Sequence, residues 1–274
     1  MRDLANRLLP RAFVRSLRRP VRLAASVLGW TEAADSALAD LSGEGDWAAA
    51  GDAITLWARA LCHVTPDANV LEIGCGPGRM AEGLLNWLDE TGRYTGFDPS
   101  RKAIDAAQSR LGVDPRSRFE HADLLNAEYN PKGSRQAGAY RFPARDGGVD
   151  FVFATSVFTH MRLAGIRHYM VQAARVLKPG GAFLFTVFLL DEKSRVAMAT
   201  GRASFRFHDP IDDMSATIDP KTPERAIAHE RTEILAALND AGLAVEDRIH
   251  EGTWRGTDHA MAFQDLIVAR KPPS

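Results

Sequence analysis

The chain has 274 residues, of which 45% are hydrophobic and 25% charged, with a net charge of −1 and two cysteines. This is the composition of an ordinary soluble globular protein, and it excludes a wholly disordered chain, a collagen-like repeat and a small disulfide scaffold. The longest uncharged apolar run, Gly180 to Leu190, is too short to span a bilayer. The near-zero charge averages two unlike parts: residues 1–30 carry seven Arg and one Asp, or +6, and the remainder carries 27 basic and 34 acidic residues, or −7. No basic stripe runs through the body, which argues against a nucleic-acid partner. Cys62 and Cys75 fit a reducing cytoplasm and cannot build a Cys-rich zinc site, and no metal site is expected.

In the first 30 residues Leu4, Leu8, Leu9, Phe13, Val14, Leu17 and Val21 interleave with the Arg residues, interrupted by Pro10 and Pro20. This arm lacks the continuous apolar stretch of a secretory signal, although its Arg-rich, acid-poor composition resembles a mitochondrial transit peptide. A basic amphipathic segment of this kind suits peripheral contact with the anionic inner face of a membrane. An arm that is disordered or docked on the core is the plainer alternative, and both readings stand at this point.

Residues 31–274 read as one domain. A helix is predicted over 46–64, where Trp47, Ile54, Trp57 and Leu61 recur at roughly helical spacing. Strand and helix signals then alternate: strand 68–73, a Gly-rich turn, helix 80–90, strand 94–97, helix 99–111 and strand 118–121. Residues 126–148 are polar and read as a long loop. Strand 149–155, helix 163–177, a Lys178-Pro179-Gly180-Gly181 turn and the almost wholly apolar strand 182–188 follow. Residues 191–223 read as a second irregular stretch, 224–241 as a helix closed by Gly242, and 243–250 and 262–270 as two last strands. Repeated βα units imply an α/β, Rossmann-like, doubly wound and mostly parallel sheet, whose ligands bind beyond the carboxyl ends of the strands.

The residues just after each strand are therefore the informative ones. Gly74, Gly76 and Gly78 follow the first strand, and Arg79 stands where a dinucleotide fingerprint would need its third glycine. Glycines there permit a tight turn and close approach of a ligand, and the helix that follows offers free N–H groups to a carboxylate. Asp98 ends the second strand, where a carboxylate can accept hydrogen bonds from two ribose hydroxyls. Asp123 follows the third strand, placed to meet an adenine amino group, and Thr155 and Ser156 follow the fourth. Acidic residues after strands two and three disfavour a 2′-phosphorylated nucleotide.

Taken together, Leu71-Glu72-Ile73-Gly74-Cys75-Gly76-Pro77-Gly78, Gly96-Phe97-Asp98-Pro99-Ser100, His121-Ala122-Asp123-Leu124 and Arg175-Val176-Leu177-Lys178-Pro179-Gly180-Gly181 resemble the class I S-adenosylmethionine-dependent methyltransferases, over roughly residues 45–270. The resemblance implies a seven-stranded sheet with the last strand antiparallel and S-adenosyl-L-methionine as cofactor, released as S-adenosyl-L-homocysteine. It implies that Gly74, Cys75, Gly76 and Gly78 line the methionine moiety with Glu72 beneath the loop. It further implies that Asp98 binds the ribose, that Asp123 and the Leu124 backbone hold the adenine, and that Thr155 and Ser156 flank the amine or sulfonium.

His160, in Ser156-Val157-Phe158-Thr159-His160-Met161, is the expected catalytic group, a general base or an acceptor-orienting residue; the alternative is a histidine that packs or caps the next helix. His208 with Asp212 and Asp213 is read as solvated loop, and His229 as a surface or packing residue on the late helix. The irregular stretches 126–148 and 191–223 are expected to be substrate loops, in which Tyr129, Tyr140, Arg141, Phe142, Arg145, Phe205, Phe207 and His208 either contact the acceptor or anchor the loops. A further resemblance, carried by residues 156–161, Glu251-Gly252-Thr253-Trp254 and Phe263-Gln264-Asp265, is to bacterial methyltransferases of polysaccharide and glycolipid biosynthesis, and implies O-methylation of a saccharide hydroxyl. The alternatives are a small-metabolite N- or O-methyltransferase, or a catalytically inactive cofactor-binding protein of the same fold.

Overall fold

The computed structural model describes residues 47–126, 129–246, 248–258 and 260–273; the basic arm of residues 1–30 and His259 lie outside them. Five parallel strands form the centre: β1 (Asn69–Ile73), β2 (Arg93–Asp98), β3 (Ser117–His121), β4 (Val149–Ala154) and β5 (Leu177–Leu190), in the order β3-β2-β1-β4-β5. The last strand, β10 (Asp265–Arg270), runs antiparallel to β5 along Ala182–Val187 and carries the two-residue β9 (Ala244–Val245) on its other edge. These seven strands are the expected sheet, with its expected antiparallel last strand.

Helices cover both faces. The first layer holds α1 (Trp47–Ala60), α2 (Arg79–Trp87) and α3 (Arg101–Leu111), whose Ile54, Trp57, Leu84 and Ile104 pack on Val70, Phe153 and Leu184 of the sheet. The second holds α4 (Leu163–Val176) and α6 (Arg231–Asp240), whose Ile166, Met170 and Ile234 meet Leu71, Val152, Phe183 and Phe185. Successive residues of β1, β4 and β5 therefore enter opposite cores, which is why these strands are mostly apolar on both faces rather than alternating.

The chain departs from the expectation after β5. Residues 191–223 are not one irregular stretch: they hold α5 (Glu192–Ala199), β6 (Asp209–Asp212) and β7 (Ser215–Thr217). Nor does a helix begin at 224, because Pro223–Arg225 is a single 3₁₀ turn, Ile227–Glu230 is strand β8, and only then does α6 start. β8 pairs in parallel with the far end of β5, Phe188–Leu190, and β7 and β6 follow it antiparallel, extending the sheet to ten strands. Four apolar-rich residues are too few for periodicity to separate strand from helix, and the free edge at the end of the 14-residue β5 decides the matter.

A third core sits under this extension, with Phe188, Phe207 and Trp254 buried and Phe205 and Phe263 packed against them. Phe205 and Phe207 are thus loop anchors, as are Tyr140 and Phe142, which stack about Phe97 and bury in the second-layer core. Tyr129 and Arg141 remain exposed, with Arg141 paired to Asp146.

Candidate cofactor and acceptor site

Gly74, Gly76 and Gly78 all adopt positive φ (70°, 51° and 87°), so the chain after β1 turns sharply and enters α2 through a left-handed N-cap. The turn is tied to the end of β2: the N–H groups of Gly74 and Cys75 donate to the Phe97 carbonyl, and that of Gly76 donates to Asp98 Oδ2 at 2.8 Å. A Cβ on Gly74 would stand 2.5 Å from Cγ2 of Val157, so the segment after β4 lies against the glycine turn. A Cβ on Gly76 would meet nothing within 4 Å, which leaves the outer side of the turn open.

Beneath the turn, Glu72 is buried and accepts a hydrogen bond from the Tyr94 hydroxyl. Burial pushes its pKa up to about 8 against the pull of that bond, so Glu72 is largely protonated at neutral pH. Cys75 is likewise a buried free thiol, held neutral by desolvation, and not a nucleophile. Burial also raises the pKa of Asp98, opposed by the N–H groups of Ser100 and Gly76. Those two donors use about half of the roughly four acceptor positions of a carboxylate, leaving enough for two hydroxyls.

Asp123 stands differently. Its oxygens accept from Asn130 Nδ2 at 3.0 Å and from both the N–H and the hydroxyl of Ser134, which lowers its pKa. Loop 126–148 is thus fastened across the end of β3, and Asp123 keeps about one acceptor position. Leu124 is buried, with its N–H turned to the Ala122 carbonyl at 2.6 Å.

After β4, the Thr155 hydroxyl contacts Met80 Sδ, and Ser156 takes a left-handed φ of 54°, uncommon for a residue with a side chain. Ser156 N–H donates to Thr186 Oγ1, the Thr186 hydroxyl donates to Gln264 Oε1, and Gln264 Nε2 donates to Ser156 Oγ, closing a small polar ring. The chain then forms a 3₁₀ turn, Phe158–His160, in which His160 is half-buried with Nδ1 2.8 Å from the Glu224 carbonyl.

Of the residues singled out in the sequence, Glu72, the glycines and Asp98 come together at the β1–β2 ends, and Val157 joins the His160 turn to them. Asp123 and Leu124 lie beyond β2, at the end of β3. The sequence reading missed Tyr94, Thr186, the role of Gln264, and Arg79. Arg79 opens α2 and has a buried Nη1 without a hydrogen-bond partner, close enough to Glu72 to bear on its charge. Its signal was visible, since it occupies the position of the missing third glycine.

Trp254 and Asp265, two residues behind the second resemblance, lie in a buried network. Asp265 is fully buried and accepts from Gly252 N, Leu189 N, Trp254 Nε1 and Arg255, while Arg255 also spans Asp191 at the N-cap of α5. Trp254 and Asp265 therefore join β5, β10 and α5. His208 is exposed, bonded to the Arg206 carbonyl and 3.4 Å from Asp209. Among the described residues no group of three or more His, Cys, Asp or Glu is placed to hold a metal ion, and no helix is long and apolar enough to cross a membrane.

Residues 71–185 match the Methyltransferase domain family. The match covers less than half of the chain and takes in the glycine turn, Asp98, Asp123 and the His160 turn. Its relatives include the 27-O-demethylrifamycin SV methyltransferase of Amycolatopsis mediterranei, 34% identical over 44% of this chain and 39% of that protein. An uncharacterized methyltransferase of Schizosaccharomyces pombe is 28% identical over 44% of this chain and 40% of its own length. The chain thus spans about two fifths of these relatives. A methyltransferase of Methanosarcina mazei shares the fold, with a TM-score of 0.53 over 77% of this chain and 95% of that one, at 22% identity.

The cofactor of the Methanosarcina mazei neighbour is S-adenosyl-L-methionine. The residues present fit it: an open glycine turn, a buried acid at the end of β2 with acceptor positions to spare, and an orphaned guanidinium nitrogen at the start of α2.

Proposed function

We propose that this protein transfers a methyl group from S-adenosyl-L-methionine to a hydroxyl of a small-molecule acceptor. The observation that carries the proposal is the Gly74–Gly78 turn, locked to Asp98 through Gly76 and open on its outer side. In this reading Gly74, Cys75, Gly76 and Gly78 line the methionine moiety. The N-terminus of α2, together with Arg79, receives its carboxylate. Asp98 accepts from the ribose hydroxyls, Asp123 and Leu124 border the adenine, and Thr155 and Ser156 flank the reacting end.

When bound, the cofactor supplies a methyl group already activated on a sulfonium. The protein's own contribution is then alignment of the acceptor and removal of its proton. We assign the proton to His160. A carbonyl oxygen can only accept, so the Glu224 contact requires the hydrogen on Nδ1 and leaves Nε2 of the neutral ring as a base.

A small-molecule acceptor agrees with the Amycolatopsis relative, which is a 27-O-demethylrifamycin SV methyltransferase. A saccharide or glycolipid acceptor now rests on resemblance alone, because Trp254 and Asp265, two of the residues that suggested it, serve the buried network around Arg255. A screen of hydroxylated small molecules, monosaccharides and glycolipid extracts with methyl-labelled cofactor tests the proposal. Label in a hydroxylated small molecule is the expected result. Label found only in glycolipid, or only on nitrogen, overturns the acceptor assignment.

A further inference from the structure

We propose that the β6–β8 extension is the mount of His160, with Thr217, Ser215 and His229 acting as positioning residues that fix which ring nitrogen of His160 carries its proton. The proposal rests on the reading of His160 as the base. All three residues belong to strands absent from the expected seven-stranded sheet, and none was assigned to the site from the sequence.

A hydrogen bond holds the His160 turn on one side, and the buried strand β8 packs against it on the other. On one side, the carbonyl that faces His160 Nδ1 belongs to Glu224, in the 3₁₀ turn Pro223–Arg225. The residues flanking Glu224 are tied to Thr217: its hydroxyl, at the end of β7 and 1% exposed, lies 3.0 Å from the Pro223 carbonyl and 2.9 Å from that of Ala226. Thr217 thereby sets where the Glu224 carbonyl points.

On the other side, His229 in β8 is 0% exposed and is the cross-strand neighbour of Ser215 in β7. Ser215 Oγ and His229 Nδ1 are 2.9 Å apart. With the serine hydroxyl donating, His229 carries its hydrogen on Nε2. That nitrogen is buried without a hydrogen-bond partner among the described residues, and the carbonyls of Phe158 and Met161 lie beside the ring. These carbonyls bracket Thr159 and His160. Burial lowers the His229 pKa to about 4, so the ring stays neutral and keeps one donor.

A packing role alone would leave the His160 tautomer indifferent to Thr217, so the tautomer is the decisive readout. Long-range ¹⁵N–¹H NMR on the full chain labelled at histidine, with the His160 signal assigned through His160→Gln, reads it directly. The expected result is a neutral His160 ring protonated at Nδ1 in the wild type and predominantly at Nε2 in Thr217→Val, with Thr217→Ser restoring the wild-type state. Affinity for S-adenosylhomocysteine should remain within a factor of about two in each variant, because none of these side chains belongs to the cofactor site. Should Thr217→Val fail to fold, Ser215→Ala is read in the same way and shifts the same population to a smaller extent. A wild-type ring protonated at Nε2, or a folded Thr217→Val that retains Nδ1–H, overturns the proposal. Failure of the underlying reading looks different: His160→Gln would methylate acceptor at the wild-type rate while the tautomer result stood.

Discussion

Two neighbouring glycines separate backbone strain from ligand space. Gly74 and Gly76 both sit at positive φ, but only Gly74 has a neighbour where a Cβ would go. Gly74→Ala should therefore cost roughly 1–3 kcal/mol in urea unfolding, from strain plus displacement of Val157. Gly76→Ala should cost only about 1 kcal/mol of stability. Its methyl group projects into the open side of the turn, so calorimetry should show a larger loss in cofactor binding than in stability. Glu72 gives a pH-dependent counterpart. Its folded pKa, about 8, lies above the ordinary carboxylate value, so the folded state holds an extra proton between about pH 4.5 and 8. That contribution to stability is complete below the lower value and is lost as pH rises through the upper one. Glu72→Gln should flatten the fall in stability across this window, as read by urea unfolding at a series of pH values; an unchanged slope would show that Glu72 ionises freely in the fold.

Elements differ in how plainly their sequence announces them, and the reasons are physical. β1, β4 and β5 are legible because a strand covered on both faces is mostly apolar, and the glycine turn is legible because side chains rarely take those φ angles. β6, β7 and β8 are three to four residues each and exist because β5 leaves an edge to pair with, which no local pattern encodes. His229 looked helical for the same reason, and only the pairing of β8 with β7 reveals its bond to Ser215. In the site, Asp98 was legible from its place after a strand, whereas the occupation of Asp123 by Asn130 and Ser134 depends on the path of a loop. The Asp191–Arg255–Asp265 network carries an element-scale prediction. Asp265→Ala leaves the buried Arg255 with Asp191 as its one carboxylate and unpairs the buried N–H groups of Gly252, Leu189 and Trp254, so urea unfolding should show a loss of about 3–5 kcal/mol, through detachment of β10 and α5 from β5.

Across the whole molecule, the charge asymmetry and the site fall on different parts of the chain. The +6 lies in residues 1–30, and the residues proposed to hold the cofactor run from Glu72 to Ser156. Removal of residues 1–30 should therefore leave cofactor affinity unchanged, and a weakened affinity on calorimetric titration would bring the arm into the site. The two helical layers place the glycine turn, Asp98 and the His160 turn at the ends of neighbouring strands, while the β6–β8 extension backs the last of them. The central claim is that this arrangement binds S-adenosylmethionine through the turn and Asp98. Titration calorimetry of the full chain with S-adenosylmethionine and S-adenosylhomocysteine, beside the Asp98→Asn variant, tests it most directly. The account predicts one site per chain for both compounds and an affinity about tenfold to a hundredfold weaker in Asp98→Asn, the range expected for losing a charge-assisted bond. Absence of binding by the folded wild type, or equal affinity in the variant, would contradict it.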